Sequence, residues 1–256
     1  MLTRLCRLGL EAKYLGAARE FYETRLGLAP VAESDAAVAY AVGETTVVLR
    51  RPVSTPRGGV HTHYAFSTTR EAYDDWLASL SDLDPVEFSF GSSRSLYVYD
   101  PDGNCVEIGG VDDAVPEDAG SASATRPLTG IFEVVLEVTD LERAEAQFRS
   151  LGFEVSDRGE ERPRVRLSGP VDLELWEPQL GIADARGGLH VDLTFRTDDP
   201  RAAVEAGGPW AAGPEVVGGG ADDGAETGDG AAVGGDTEGL RVRDADGHVL
   251  TFVTDC

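Results

Sequence analysis

The chain has 256 residues, and its 41% hydrophobic content can supply the core of two ordinary domains or of one large one. Acidic residues number 46 and basic residues 22, which gives a formal net charge of −24. A field of that sign repels phosphate and argues against nucleic acid or an anionic membrane as a partner. Because Lys13 is the only lysine, the composition also favours a protein from a salt-loving cytoplasm.

Neither a membrane segment nor a disulfide framework is indicated. No stretch reaches the roughly 18 consecutive apolar residues of a transmembrane helix, so we expect a cytoplasmic protein. Cys6, Cys105 and Cys256 are scattered, odd in number and without a CxxC spacing. We therefore expect reduced thiols rather than disulfides or a thiolate zinc site.

The first unit of the chain is predicted to be a strand followed by a helix. Residues 8–12 form the strand, and apolar residues recur near helical spacing over 17–26, where Gly27 ends the helix. Residues 38–52 (VAYAVGETTVVLRRP) then have the alternation and the central glycine of a β-hairpin.

A second strand-then-helix unit occupies residues 60–80 and carries Trp76, which we place in the core. It is followed by the hairpin YVYDPDGNCVEIGG, residues 97–110, whose strands are joined by a tight acidic turn. Glu107 lies in the second strand, where an apolar residue is expected. Tyr97 and Tyr99 share a face of the first strand and either pack there or contact a ligand.

The rest of the chain repeats this pattern. Residues 133–155 again predict a strand and a helix, with Asp140 as N-cap and Gly152 as the stop. Later segments repeat the first hairpin, the second strand-then-helix unit and the acidic hairpin (VRDADGHVLTFVT), in which Thr251 takes the position of Glu107. Residues 113–127 predict a linker, and the Gly- and Asp-rich residues 216–239 predict a disordered loop.

The order βαβββ thus occurs four times, in two halves of the chain. Together with the segments LGAAREFYETRLGL, YVYDPDGNCVEI and VTDLERAEAQFRSLGF, it resembles the vicinal oxygen chelate superfamily. That superfamily includes glyoxalase I, fosfomycin- and bleomycin-resistance proteins and extradiol dioxygenases. The resemblance implies an α+β fold of two tandem glyoxalase-like domains with incomplete mixed-strand barrels. We place them at 1–112 and 128–256.

The resemblance also implies a metal site in the first half. The superfamily usually holds a divalent metal by His, His and Glu, and the matching positions here carry Arg7, His63 and Glu107. A guanidinium stays protonated and cannot bind a metal. His61, on the same strand face as His63, and Glu11, on that of Arg7, are the alternatives for completing the set.

Two interpretations of the first half follow. In one, Fe, Mn, Ni, Zn or Mg acts as a Lewis acid on a small oxygen-rich substrate, in a lyase or dioxygenase. In the other, Arg7 pairs with Glu107 beside His63, and the protein sequesters a small aromatic or anionic ligand without a metal, as bleomycin-resistance proteins do. Tyr97 and Tyr99 would line either cup.

In the second half the matching positions are Glu133, Asp192 and Thr251, and Glu174 lies where some glyoxalase-like proteins have another carboxylate. The three carboxylates together suit Mg²⁺ or Mn²⁺. His190 is either a nitrogen ligand or a core histidine. Because this half lacks the expected histidines, we predict that it is degenerate and that dioxygenase activity is disfavoured. A small molecule is the expected partner, and both a monomer and a homodimer fit.

Overall fold

The computed structural model describes residues 1–52, 63–91, 93–111, 126–177, 191–218 and 238–256, which form four consecutive βαβββ modules. Module 1 contains β1 (Leu2–Glu11), α1 (Leu15–Glu20), β2 (Pro30–Glu33), β3 (Ala37–Val42) and β4 (Thr45–Arg50). Module 2 contains β5 (His63–Thr69), α2 (Tyr73–Ser79), β6 (Val86–Phe90), β7 (Ser93–Tyr99) and β8 (Cys105–Val111).

Module 3 contains β9 (Gly130–Glu137), α3 (Leu141–Ser150), β10 (Glu154–Arg158), β11 (Arg164–Ser168) and β12 (Asp172–Trp176). Module 4 contains β13 (Asp192–Thr197), α4 (Pro200–Gly207), β14 (Ala212–Val217), β15 (Gly239–Arg243) and β16 (Val249–Val253). Within these described segments, no helix is long and apolar enough to cross a membrane. The first strand is longer than the predicted residues 8–12.

Local sequence explains where the helices of the second half begin and end. Asp140 accepts a hydrogen bond from the amide of Arg143, 3.0 Å away, so it caps α3 as predicted. Asp199 likewise caps α4, which has Pro200 in its first turn. Gly152, at φ 101°, follows α3 in a conformation that favours glycine.

Each of the two sheets takes one module from each half of the chain. The first sheet has the order β14-β15-β16-β13-β1-β4-β3-β2, and the second has the order β10-β11-β12-β9-β5-β8-β7-β6. Module 1 therefore joins module 4 through the antiparallel pair β1–β13, and module 2 joins module 3 through the antiparallel pair β5–β9. The fold is of the predicted α+β class, with two mixed eight-stranded sheets.

The pairing of the modules differs from the sequence-based division into 1–112 and 128–256. A repeat identifies modules but not which modules share hydrogen bonds, and the two modules within each half of the chain lie in different sheets here. Residues 113–125 of the predicted linker and residues 219–237 of the predicted loop lie outside the described part of the chain. Strands β14 and β15 contain the two ends of that predicted loop.

Strand alternation separates an apolar core from a polar face in each sheet. Leu8, Tyr64 and Phe195 belong to one continuous buried cluster that spans both sheets, and their neighbours along the strands point to the opposite face. Trp76 is fully buried in this cluster, as predicted, and its Nε1 donates to Thr68 Oγ1 at 3.1 Å. The polar faces carry the residues of functional interest.

The acidic turn that closes module 2 joins the two sheets. Asp100 Oδ1 accepts the backbone amides of Asp102 and Asn104 at 2.9 and 2.8 Å, which fixes the turn. Asp102 Oδ1 then accepts the amide of Lys13, between β1 and α1 of module 1, at 2.8 Å. The turn therefore docks module 2 onto module 1.

The matching turn of module 4 has the same construction. Asp244 Oδ1 accepts the amides of Asp246 and His248, and Asp246 Oδ1 accepts the amide of Thr139 in module 3 at 2.8 Å. The hairpin is thus repeated because each half needs a turn that ties its two modules together.

The cysteines differ from the prediction of three reduced thiols. Cys6 and Cys256 form a disulfide with a Cα–Cα distance of 5.9 Å, and Cys105 is buried and free. Strand order explains the pairing, since β1 and β16 both lie beside β13 and bring the two ends of the chain together. A separation of 250 residues gave no indication of this in the sequence.

We expect reductant to lower the free energy of unfolding by up to about 5 kcal/mol, because the disulfide closes a very large ring in the unfolded chain. Urea unfolding with and without dithiothreitol measures this. The Cys256→Ser variant should lose the effect and Cys105→Ala should keep it. Three alkylatable thiols in unfolded, unreduced protein would contradict the assignment.

Candidate metal centre

Three strands of the second sheet bring His63, Glu107 and Glu133 together. Ala65 of β5 lies opposite Glu107 of β8 on one side and opposite Glu133 of β9 on the other. His63 precedes Ala65 by two residues and therefore shares its face. One potential ligand atom from each of the three side chains lies within 4.8 Å of the other two.

The three side chains are buried, and aromatic rings flank the histidine. His63 Nε2 is 2.9 Å from Glu107 Oε2. The rings of Tyr97 and Trp176 lie edge-on to His63, with centroids at 5.6 and 6.1 Å. Such an environment excludes water from the imidazole and strengthens its electrostatic interactions with the carboxylates.

Two arginines of β11 balance the carboxylates on this face. Arg166 Nη1 lies 2.7 Å from Glu133 Oε2 and 3.6 Å from Glu174 Oε1. Glu174 also accepts hydrogen bonds from Arg164 Nη1 at 3.1 Å and from Trp176 Nε1 at 2.8 Å. Glu174 is therefore held beside the triad by two hydrogen bonds and by an ion pair with Arg166, whereas Glu133 belongs to the triad.

Crowding and burial shift the protonation of these groups. Burial raises the pKa of Glu133 to about 8, with the neighbouring Glu174 carboxylate adding to the shift and Arg166 opposing it. Burial and the Glu107 carboxylate raise the pKa of Tyr97, which keeps its phenol protonated. Burial raises the pKa of the Cys105 thiol to about 12, so without a metal this thiol stays protonated near neutral pH.

The residues present fit a divalent metal. An imidazole and two carboxylates are ligands for Mn, Fe, Ni or Zn, and three protein ligands leave positions open for substrate oxygens. Glu133 Oε2 is buried and has Arg166 Nη1 at 2.7 Å, so a positive charge is favoured next to this oxygen. A buried oxygen of this kind is well placed to bind a cation.

Arg7 and Glu11 do not complete this set, and the prediction that placed them beside His63 is wrong. Both lie on β1 of the first sheet, where Arg7 Nε donates to Thr194 Oγ1 at 3.2 Å. Among the ion pairs between described residues, Glu107 pairs with His63 and not with Arg7. Glu133 lies beside His63 and Glu107 instead, because β5 pairs with β9 rather than with β1.

The predicted all-oxygen set of Glu133, Glu174 and Asp192 is likewise divided between the sheets. Asp192 Oδ2 lies on the first sheet, 3.1 Å from Arg50 Nη1 and 3.8 Å from Arg241 Nη2. A Cβ atom at Gly9 would lie 3.0 Å from Asp192 Cβ, so β1 and β13 approach closely at this point. Asp192 therefore belongs to an ion-pair network on the polar face of the first sheet.

The remaining candidates have separate outcomes. Tyr97 lies beside His63, and Tyr99 is 58% exposed near the rim of the same face. Thr251 is buried on the first sheet. His61 and His190 lie outside the described residues. Sequence analysis missed Arg164 and Arg166, although their alternation opposite Glu174 in a hairpin would have placed them on the same face.

A scan against family models gives no match, and a search of curated proteins gives no significant match. Solved structures do share the architecture. A proposed dioxygenase from Bacillus subtilis subsp. subtilis str. 168 superposes with a TM-score of 0.70 at 14% identity, over 99% of this chain and 86% of that one. The chain therefore has the vicinal oxygen chelate fold.

Glyoxalase I from Zea mays superposes with a TM-score of 0.64 at 16% identity, over 98% of this chain and 92% of that one. At such identities the likeness establishes the fold alone, and function has to be argued from the site.

We expect the Glu133→Gln variant to lose less stability than the native protein as pH rises. The folded-state pKa of about 8 lies above the ordinary value of 4.5, so protonated Glu133 favours the folded state. That contribution, a few kcal/mol, is complete below about pH 4.5 and is lost as pH rises through about 8.

Urea unfolding from pH 5 to pH 9 in the presence of a chelator measures this difference. Glu154→Gln, an exposed change on β10 of the same sheet, is the matched control. Identical pH slopes for native protein and Glu133→Gln would show that the carboxyl is not perturbed.

Proposed function

We propose that the protein is a divalent-metal-dependent enzyme of the glyoxalase or dioxygenase type, acting on a small oxygen-rich substrate at the polar face of the second sheet. The observation that carries the proposal is the convergence of three buried side chains, His63, Glu107 and Glu133, from three adjacent strands. A buried imidazole between two carboxylates is costly unless it serves a structural or chemical purpose.

His63, Glu107 and Glu133 would hold the metal, which when bound supplies Lewis-acid polarisation of a substrate carbonyl or hydroxyl oxygen. Two carboxylates and a neutral imidazole match the charge of a divalent ion. Arg164 and Arg166 balance Glu174 and Asp172, so the site does not accumulate negative charge.

We assign proton transfer to Glu174. It shares Arg166 with Glu133, and Trp176 Nε1 fixes the orientation of its carboxylate. A carboxylate held beside a polarised substrate can take a proton from it and return it, which favours the glyoxalase type of reaction over oxygen chemistry. Tyr97 and Trp176 would close the two sides of the site against water.

The alternative of a metal-free binding protein anchored by Arg7 receives no support from the geometry. Its premise was a guanidinium next to His63 and Glu107, and Arg7 contacts Thr194 on the first sheet instead.

Incubation with Mn²⁺, Ni²⁺ or Zn²⁺ followed by desalting should leave about one metal ion per chain, measured by plasma mass spectrometry. His63→Ala and Glu107→Gln should each weaken metal affinity at least about 100-fold, because a direct ligand is lost. Arg7→Gln, on the other sheet, is the matched control and should leave uptake unchanged.

Circular dichroism would establish that the variants fold. Absence of uptake by the native protein, or full uptake by folded His63→Ala, would contradict the proposed function.

A further inference from the structure

We propose that an aromatic wall on β6 and β7 extends the candidate centre and binds a planar, uncharged aromatic group of the substrate. The wall consists of Phe88, Phe90 and Tyr97. This inference rests on the proposed function, because the wall would receive the part of the substrate that lies away from the metal-binding oxygens.

The first observation is the exposure of large apolar side chains on one edge strand. β6 is the last strand of the second sheet, and its residues Val86, Phe88 and Phe90 are 53%, 53% and 59% exposed. Exposed edge strands usually carry charges or are covered, since apolar edges promote aggregation. A contiguous exposed apolar row therefore marks a binding surface.

The second observation is the face on which this row lies. Val86 is directly opposite Tyr97 of β7, and Tyr97 is directly opposite Glu107 of β8. Alternation then places Phe88 and Phe90 on the same face as the triad. The other face of β6 carries Glu87, which accepts hydrogen bonds from Tyr73 and Arg94 at 3.0 and 2.9 Å.

The third observation is continuity with the candidate centre. Ring centroids lie 6.4 Å apart from Phe90 to Phe88, 5.5 Å from Phe88 to Tyr97 and 5.6 Å from Tyr97 to His63. Two of the three contacts are edge-to-face, the geometry that aromatic pairs prefer. A substrate whose oxygens meet His63 would therefore have its body against these rings.

The charge of the protein indicates which kind of substrate group can bind to the wall. Arg164 and Arg166 offset Glu174 and Asp172 beside the triad, but the whole chain carries −24. An anionic group on the wall would be repelled, whereas an uncharged aromatic ring buries apolar area and meets other rings. The edge strand of the first sheet, β2, offers no such row, because its exposed large hydrophobic residue is Val31.

Two bidentate oxygen chelators distinguish the contribution of the wall to binding from that of the metal centre. Acetohydroxamate has a methyl group and 2-naphthohydroxamate has a fused ring system on the same chelating head. Calorimetry on Ni²⁺-loaded protein should show about tenfold tighter binding of the naphthyl compound, consistent with one or two good aromatic contacts. The preference should disappear in the double variant Phe88→Ser/Phe90→Ser and persist in the control Val31→Ser.

Equal affinities of the native protein for both chelators would overturn the wall and leave the proposed function standing. An unchanged preference in the double variant would also overturn the wall. If the oligomeric state of that variant also changed on sedimentation, β6 would contact a second copy of the chain. If no metal binds, 2-naphthol on metal-free protein distinguishes the two ideas. If the double variant no longer bound 2-naphthol, the wall would be supported. Equal binding of 2-naphthol to the native protein, the double variant and the Val31→Ser control would overturn it.

Discussion

The antiparallel pairing of β5 with β9 is the constraint on which the candidate centre depends. His63 and Glu107 belong to module 2 and Glu133 belongs to module 3, so no single module contains the triad. Backbone hydrogen bonds fix the register of the pair, and a shift of one residue would turn Glu133 into the core. The paired strands therefore hold the side chains of His63, Glu107 and Glu133 close together, although each would be better hydrated alone.

The corresponding strand pair of the first sheet, β1 and β13, carries different side chains, so the two polar faces differ. The first sheet is joined through β1 and β13, and the side chains that meet there are Arg7, Asp192 and Thr194. Arg50 and Arg241 neutralise Asp192, which gives an ion-pair network without a ligand-type histidine among the described residues. Duplication thus produced two equivalent frames, and substitution left a metal-type cluster on one of them. The position of Glu107 is taken by Thr251 in module 4, whereas the acidic turn beside Glu107 is repeated there at Asp244.

Local features of the fold were predictable from sequence because they depend on nearby residues. Asp140 and Gly152 bound a helix through their own backbone chemistry, and the hairpins follow from alternation and turn residues. The position of Trp76 in the core follows from its helix. The βαβββ repeat followed from strand, helix and turn patterns, the resemblance to a known superfamily implied the fold class, and the structure confirmed that class.

Long-range features were not predictable in this way. Each module presents similar edges, so the sequence does not show that module 2 pairs with module 3. That choice removed Arg7 and Glu11 from the centre and brought Glu133 into it. It also placed Cys6 next to Cys256. Arg166 was overlooked because its role depends on two carboxylates from different strands.

Anomalous X-ray diffraction from crystals soaked with Mn²⁺ or Zn²⁺ tests the central claim, that one centre is assembled from both halves across the β5–β9 joint. We predict one strong peak within about 2.0–2.3 Å of His63 Nε2 and of a carboxylate oxygen of both Glu107 and Glu133. A peak bound by Glu11 or Asp192 on the first sheet, with none at His63, would contradict it.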